Sequence, residues 1–115
     1  MGTIVYGGGD HTLSLPDSAV ARIDALTQHL FRRGESYTLV IMGVDDSGRP
    51  ISQSIWMAPT IPVQFLYADY ESVEIPRDDF KAMFDDVVES GMHICGSGPL
   101  AYQFTGDQPE DNPES

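Results

Sequence analysis

Residues 37–44, Tyr-Thr-Leu-Val-Ile-Met-Gly-Val, constrain the fold more than any other stretch of the chain. Side chains alternate across an extended strand, so Tyr37, Leu39 and Ile41 face one way while Val40, Met42 and Val44 face the other. A strand that is apolar on both faces belongs at the centre of a sheet and must be covered twice.

The rest of the pattern surrounds that strand. Thr3–Tyr6 and Thr12–Leu15 are short β-prone runs joined by Gly7-Gly8-Gly9-Asp10, which suits a hairpin turn. Pro16 ends the extended run and Asp17 is placed to cap a helix. Val20, Ile23, Leu26 and Leu30 then recur at helical spacing up to Gly34. After the turn Asp45-Asp46-Ser47-Gly48, Ile51–Met57 and Val63–Ala68 read as further strands, separated by a connection kinked at Pro59 and Pro62. Pro76 leads into a second helix with Phe80, Phe84, Val87 and Val88 on one face and Met83 beside them, stopping at Gly91. Met92–Cys95 forms a short last strand, and Ala101–Thr105 can add an edge strand.

These elements predict an α+β domain: an antiparallel sheet of five to six strands in the order ββαβββαβ, with both helices on one face. The expected core is Ile23, Leu26, Leu30, Leu39, Ile41, Ile55, Phe65, Phe80, Phe84 and Val87. A chain of 115 residues builds one core, so residues 1–106 are read as a single domain. Residues 107–115 hold four acids, two prolines and no bulky apolar side chain, and are read as a disordered acidic tail.

Two helices cover one face of such a sheet and leave the other bare. Strand 51–57 puts Ser52, Ser54 and Trp56 on that second face. A symmetric partner is the economical cover, so Trp56, Val40, Met42, Leu66 and Ser54 are the expected homodimer contact.

Eighteen acids against six bases give a net charge of −12, and Lys81 is the only lysine. That field repels phosphate backbones, so direct nucleic-acid binding is not expected. No apolar run reaches the ~20 residues of a membrane span, and no secretory signal opens the chain. The single cysteine, Cys95, forms no intrachain disulfide and suits a reducing compartment, so the cytoplasm is the expected location.

Catalytic material is sparse. Gly7-Gly8-Gly9 is followed by a β-prone run, not by the helix a phosphate cradle feeds. His11, His29 and His93 are scattered, and His93 with Cys95 supplies only two ligands for a metal. The pairs Asp45-Asp46, Asp78-Asp79 and Asp85-Asp86 suit turns and helix starts better than acid–base work. No cofactor, metal or catalytic residue is therefore expected. On the second helix Asp78, Asp85 and Glu89 form an acidic stripe interrupted by Lys81, a solvated face or a docking strip for a basic partner.

Arg32-Arg33-Gly34-Glu35-Ser36, then Ser54-Ile55-Trp56, Pro59, Ile61-Pro62 and Phe65, resemble a family of small uncharacterised actinobacterial proteins sometimes labelled ATP-dependent DNA ligase. The likeness runs from the Met-Gly start to about Ser97. Ligases attach AMP to a lysine in a Lys-x-Asp-Gly setting, whereas Lys81 is followed by Ala82, Met83 and Phe84. The resemblance implies lineage and a shared fold, not ligation. The acidity and the acidic tail depart from the family's usual look.

The expected function is a non-enzymatic protein-interaction or accessory module that pairs with itself and with an unknown protein. The alternative is an acidic nucleic-acid-mimicking inhibitor, of phage origin, that fills a basic groove of a host enzyme.

Overall fold

The computed structural model describes residues 2–9, 11–68, 74–96 and 101–104. Along the chain run β1 (Gly2–Tyr6), β2 (His11–Leu15), α1 (Asp17–Arg32), β3 (Tyr37–Val44), β4 (Pro50–Met57), β5 (Val63–Tyr67), α2 (Arg77–Ser90), β6 (Met92–Cys95) and β7 (Tyr102–Gln103). The order anticipated from the sequence holds, with β7 added. The tail expected over 107–115 lies outside the described residues, as do Gly98 and Pro99.

The single antiparallel sheet does not hold. The strands form two sheets: an antiparallel one ordered β2-β1-β5, and a mixed one ordered β4-β3-β6 in which β7 also pairs with β3. β5 does not continue the β3–β4 meander. It leaves β4 through the Pro59–Pro62 connection and pairs with β1, placing Phe65 beside Ile4 and Leu66 beside Thr3. The Gly7 N–H donates to the Pro62 carbonyl at 2.9 Å and extends this ladder past the strand end. β6 and β7 run parallel to β3. Parallel strands need a long crossover, and α2 supplies part of the one that delivers β6.

Local chemistry accounts for the elements. The β1–β2 hairpin turns at Gly7, Gly8 and Gly9, all with positive φ, where a side chain would be strained. Asp17 does not cap α1: Pro16 occupies that position and Asp17 is the first helical residue. Asp45 organises the β3–β4 turn. Its carboxylate accepts from the Ser47 hydroxyl at 2.8 Å and from the Arg49 and Ser47 amides at 2.9 and 3.0 Å, and these bonds, the hydroxyl's foremost, hold its pKa below the ordinary value. Gly43 permits a close approach, since a Cβ there would meet the Phe104 ring and the Tyr102 carbonyl.

One hydrophobic cluster joins both sheets and both helices. Ile23, Leu26, Leu30, Leu39, Ile41 and Val87 are buried as expected, while Ile55, Phe65, Phe80 and Phe84 pack against the cluster half-buried. Ile4, Leu15, Tyr37 and Met57 are buried in the same cluster. Val88 is a correction: it is exposed, because one residue beyond Val87 lies about 100° further round the helix. Thr27, the one buried polar residue among the described residues, meets Tyr37 hydroxyl to hydroxyl at 2.7 Å, joining α1 to β3.

That pair generates an asymmetric prediction. Thr27→Val strands the Tyr37 hydroxyl without a partner and costs about 1–3 kcal/mol. Tyr37→Phe costs about 1 kcal/mol, because the Thr27 hydroxyl can turn back to a helical carbonyl. Urea unfolding of the two variants should rank them in that order. Equal stabilities would mean the bond is not formed.

Candidate functional site

The side of the β4-β3-β6 sheet away from the core is built in cross-strand rows. Trp56, Thr38 and Met92 form one row, Ser54, Val40 and Ile94 the next, and Ser52 and Met42 the third. No residue in these rows is charged. Trp56 is 56% exposed, Ile94 52% and Met92 39%, while Thr38, Val40 and Met42 are half-buried beneath them. Large apolar side chains thus stand together on an uncovered sheet face, where isolated ones would carry no meaning.

The backbone beneath Trp56 is fixed from the other sheet. The Tyr6 hydroxyl donates to the Trp56 carbonyl oxygen. A cavity of about 230 Å³ lies alongside, lined in part by Tyr6, His11, Leu13 and Ile55. β1 therefore anchors the backbone from which the indole projects.

Of the anticipated contact residues, Trp56, Val40, Met42 and Ser54 come together here. Leu66 does not. It is exposed, but it stands on β5 in the three-stranded sheet, because β5 pairs with β1 and not with β4. Met92 and Ile94 were missed. Their alternation with His93 and Cys95 is visible in the sequence, but the pairing of β6 with β3 is a long-range contact that no local pattern shows.

His93 and Cys95 lie on the opposite, core-facing side of β6, in register with Leu39 and Ile41. Together with Ser18, Arg22 and Tyr102 they line a cavity of about 220 Å³. Burial pushes the Cys95 thiol up to about 11, so it remains protonated near neutrality and lacks the thiolate that nucleophilic attack requires. Burial lowers the His93 pKa, with Arg22 acting in the same direction and Asp86 opposing. Arg22 is itself engaged with Asp79 at 3.5 Å.

On α2, Asp78, Asp85 and Glu89 are all exposed. Lys81 donates to Asp85 at 2.8 Å, and that hydrogen bond raises the Lys81 pKa. Among the described residues no group of three or more His, Cys, Asp or Glu could hold a metal ion. Among the described residues no helix is long and apolar enough to cross a membrane.

A second concavity, of about 600 Å³, lies between α1 and the Pro59–Phe65 segment. Arg32, Pro59, Ile61, Pro62 and Phe65 line it, and all five belong to the motif that carries the family likeness. Sequence reasoning singled these residues out without seeing that they share one surface.

The state of His93 fixes a pH dependence. Its folded pKa lies below the unfolded value of about 6.5, so the unfolded chain takes up the proton first as pH falls. The contribution is complete above that value and is lost as pH drops through the lowered folded pKa. In urea unfolding between about pH 7.5 and pH 5.5, the wild type should lose more stability than His93→Gln. Parallel losses would show that His93 titrates normally.

No curated protein and no solved structure matches the chain. A family model does, over residues 1–97, the same span that holds β1 to β6 and every row of the apolar face. The chain belongs to the family described as a domain of unknown function, DUF7882.

Proposed function

We propose that this chain is a non-enzymatic protein-interaction module that pairs with a second copy of itself through the outer face of the β4-β3-β6 sheet. The observation that carries this reading is the uncharged cluster of Trp56, Met92 and Ile94 standing exposed over Val40 and Met42. Covering the exposed part of one indole is worth about 2–3 kcal/mol, and a two-fold contact counts each residue twice. Ser52 and Ser54 supply a polar rim.

Charge selects this face for a like partner. Each copy carries −12, yet the rows themselves hold none of it, and Asp78, Asp79, Asp85, Asp86 and Glu89 sit on α2, which packs against the core. Screening over about 8 Å at physiological salt limits what repulsion remains. The chemistry suits a cytoplasmic protein with one reduced cysteine, in an actinobacterium or its phage.

Sedimentation tests the reading. The wild type is expected as a dimer at tens of micromolar and Trp56→Ser as a monomer of unchanged fold. A monomeric wild type, or a variant that remains dimeric, contradicts it.

A second reading draws on a different surface: the exposed acids of α2 mimic a phosphate backbone and occupy a basic groove of a nucleic-acid enzyme. It is favoured by Asp78, Asp86 and Glu89 being exposed, while Lys81 and Arg22 pair with their neighbours Asp85 and Asp79. This reading expects inhibition of such an enzyme to weaken steeply between low and physiological salt, and to be lost in the triple variant Asp78→Asn, Asp86→Asn, Glu89→Gln. Salt-insensitive inhibition, or inhibition by the triple variant, would contradict it.

A further inference from the structure

We infer that the trough between α1 and β5 is a docking groove for a short extended peptide, which adds to β5 as an antiparallel strand. The inference is independent of self-association, since the groove lies on the other sheet.

Among the described residues β5 is an edge strand whose one strand partner is β1. The Gly7–Pro62 hydrogen bond sets the phase of that ladder. Hydrogen-bonded pairs alternate in an antiparallel ladder, so Gln64 and Leu66 bond to β1 while Val63, Phe65 and Tyr67 turn their N–H and C=O groups away from it. Among the described residues no backbone group pairs with these three, which thus present the kind of edge to which an extended peptide adds.

The trough beside them, about 600 Å³, has an apolar lining from Phe31, Ile61, Val63 and Phe65. Its ends differ in charge. At one end Asp24 accepts from the Tyr67 hydroxyl at 2.7 Å, tying α1 to β5. At the other stands Arg32, exposed, its only described partner being Gln28 at 3.5 Å. Asp24 and Arg32 are two turns apart, about 12 Å along the helix, and Val63 to Tyr67 spans about 13 Å of strand. Helix and edge frame the same length, enough for about five extended residues.

Polarity follows from the ends. A strand antiparallel to β5 begins opposite Tyr67 and finishes opposite Val63. Its N-terminal side then lies by Asp24 and its C-terminal side by Arg32. The occupant that fits is an extended segment of about five residues whose trough-facing side chains are a basic group at its start, an apolar one in the middle and a carboxylate at its end. Alternate side chains enter the trough and the others face solvent.

The test uses the full chain and a set of fluorescent pentapeptides with Lys first and Glu last, about 13 Å apart when extended. The middle position, on the same side of the strand as both ends, is Val, Leu, Ile or Phe, flanked by Thr. Members of the set are expected to bind one to one by anisotropy and to shift the amide resonances of Val63, Phe65 and Tyr67. Arg32→Glu, an exposed substitution that leaves the core untouched, should weaken binding about tenfold, the loss of one charge-assisted contact. A peptide ending in Lys should recover that loss on the variant and not on the wild type. Trp56→Ser should bind the peptides as the wild type does. The inference is overturned if no member binds, or if Arg32→Glu binds as tightly as the wild type. It is equally overturned if dilution of the protein alone shifts the β5 amides, which would show that a second copy already occupies the edge.

Discussion

Strand β3 is the constraint from which the rest of the structure follows. It is bonded along one edge by β4 and along the other by β6 and β7, and its inward residues Tyr37, Leu39 and Ile41 are almost completely buried. The Thr27–Tyr37 hydroxyl pair ties its first residue to α1, and the absence of a side chain at Gly43 lets Phe104 and Tyr102 lie against its far end. With both edges and one face committed, the outer face of β3 is the only surface left to it. That face is apolar because the sequence is apolar on both sides of the strand.

Particular elements show how much of this was legible locally. The two helices and the strands declare themselves through periodicity and through Pro and Gly at their ends, and alternation alone assigns Trp56, Ser54, Val40 and Met42 to one face. What alternation cannot report is which strand lies beside which. The Pro59–Pro62 connection could return β5 to β4 or carry it to β1, and the choice rests on packing of Phe65 against the α1 core. Leu66 was misplaced for that reason, and Met92 and Ile94 were overlooked for the same one. Val88 shows the complementary limit: it is apolar, next to a buried residue and exposed, because only part of the α2 circumference meets the core.

Charge and apolar surface are segregated in this molecule. The acids concentrate on α2 and in the last residues of the sequence, while the rows of the outer sheet face hold none. A net charge that opposes association thus leaves one neutral surface through which association can proceed. The trough beside β5 follows a different rule. There the recognition elements are backbone groups of an edge strand and two opposite charges two helical turns apart, and its geometry selects an extended chain, not a flat face.

The central claim is that the outer face of the β4-β3-β6 sheet is covered by a second copy. The most direct measurement is the methyl spectrum of the full chain from low micromolar to millimolar concentration, following Met42, Met92 and Ile94 against Met83 and Ile23 in the core. The account predicts that the first three move together with concentration and saturate while the core pair stays fixed. Methyl positions of Met42, Met92 and Ile94 that do not change across that range would contradict it.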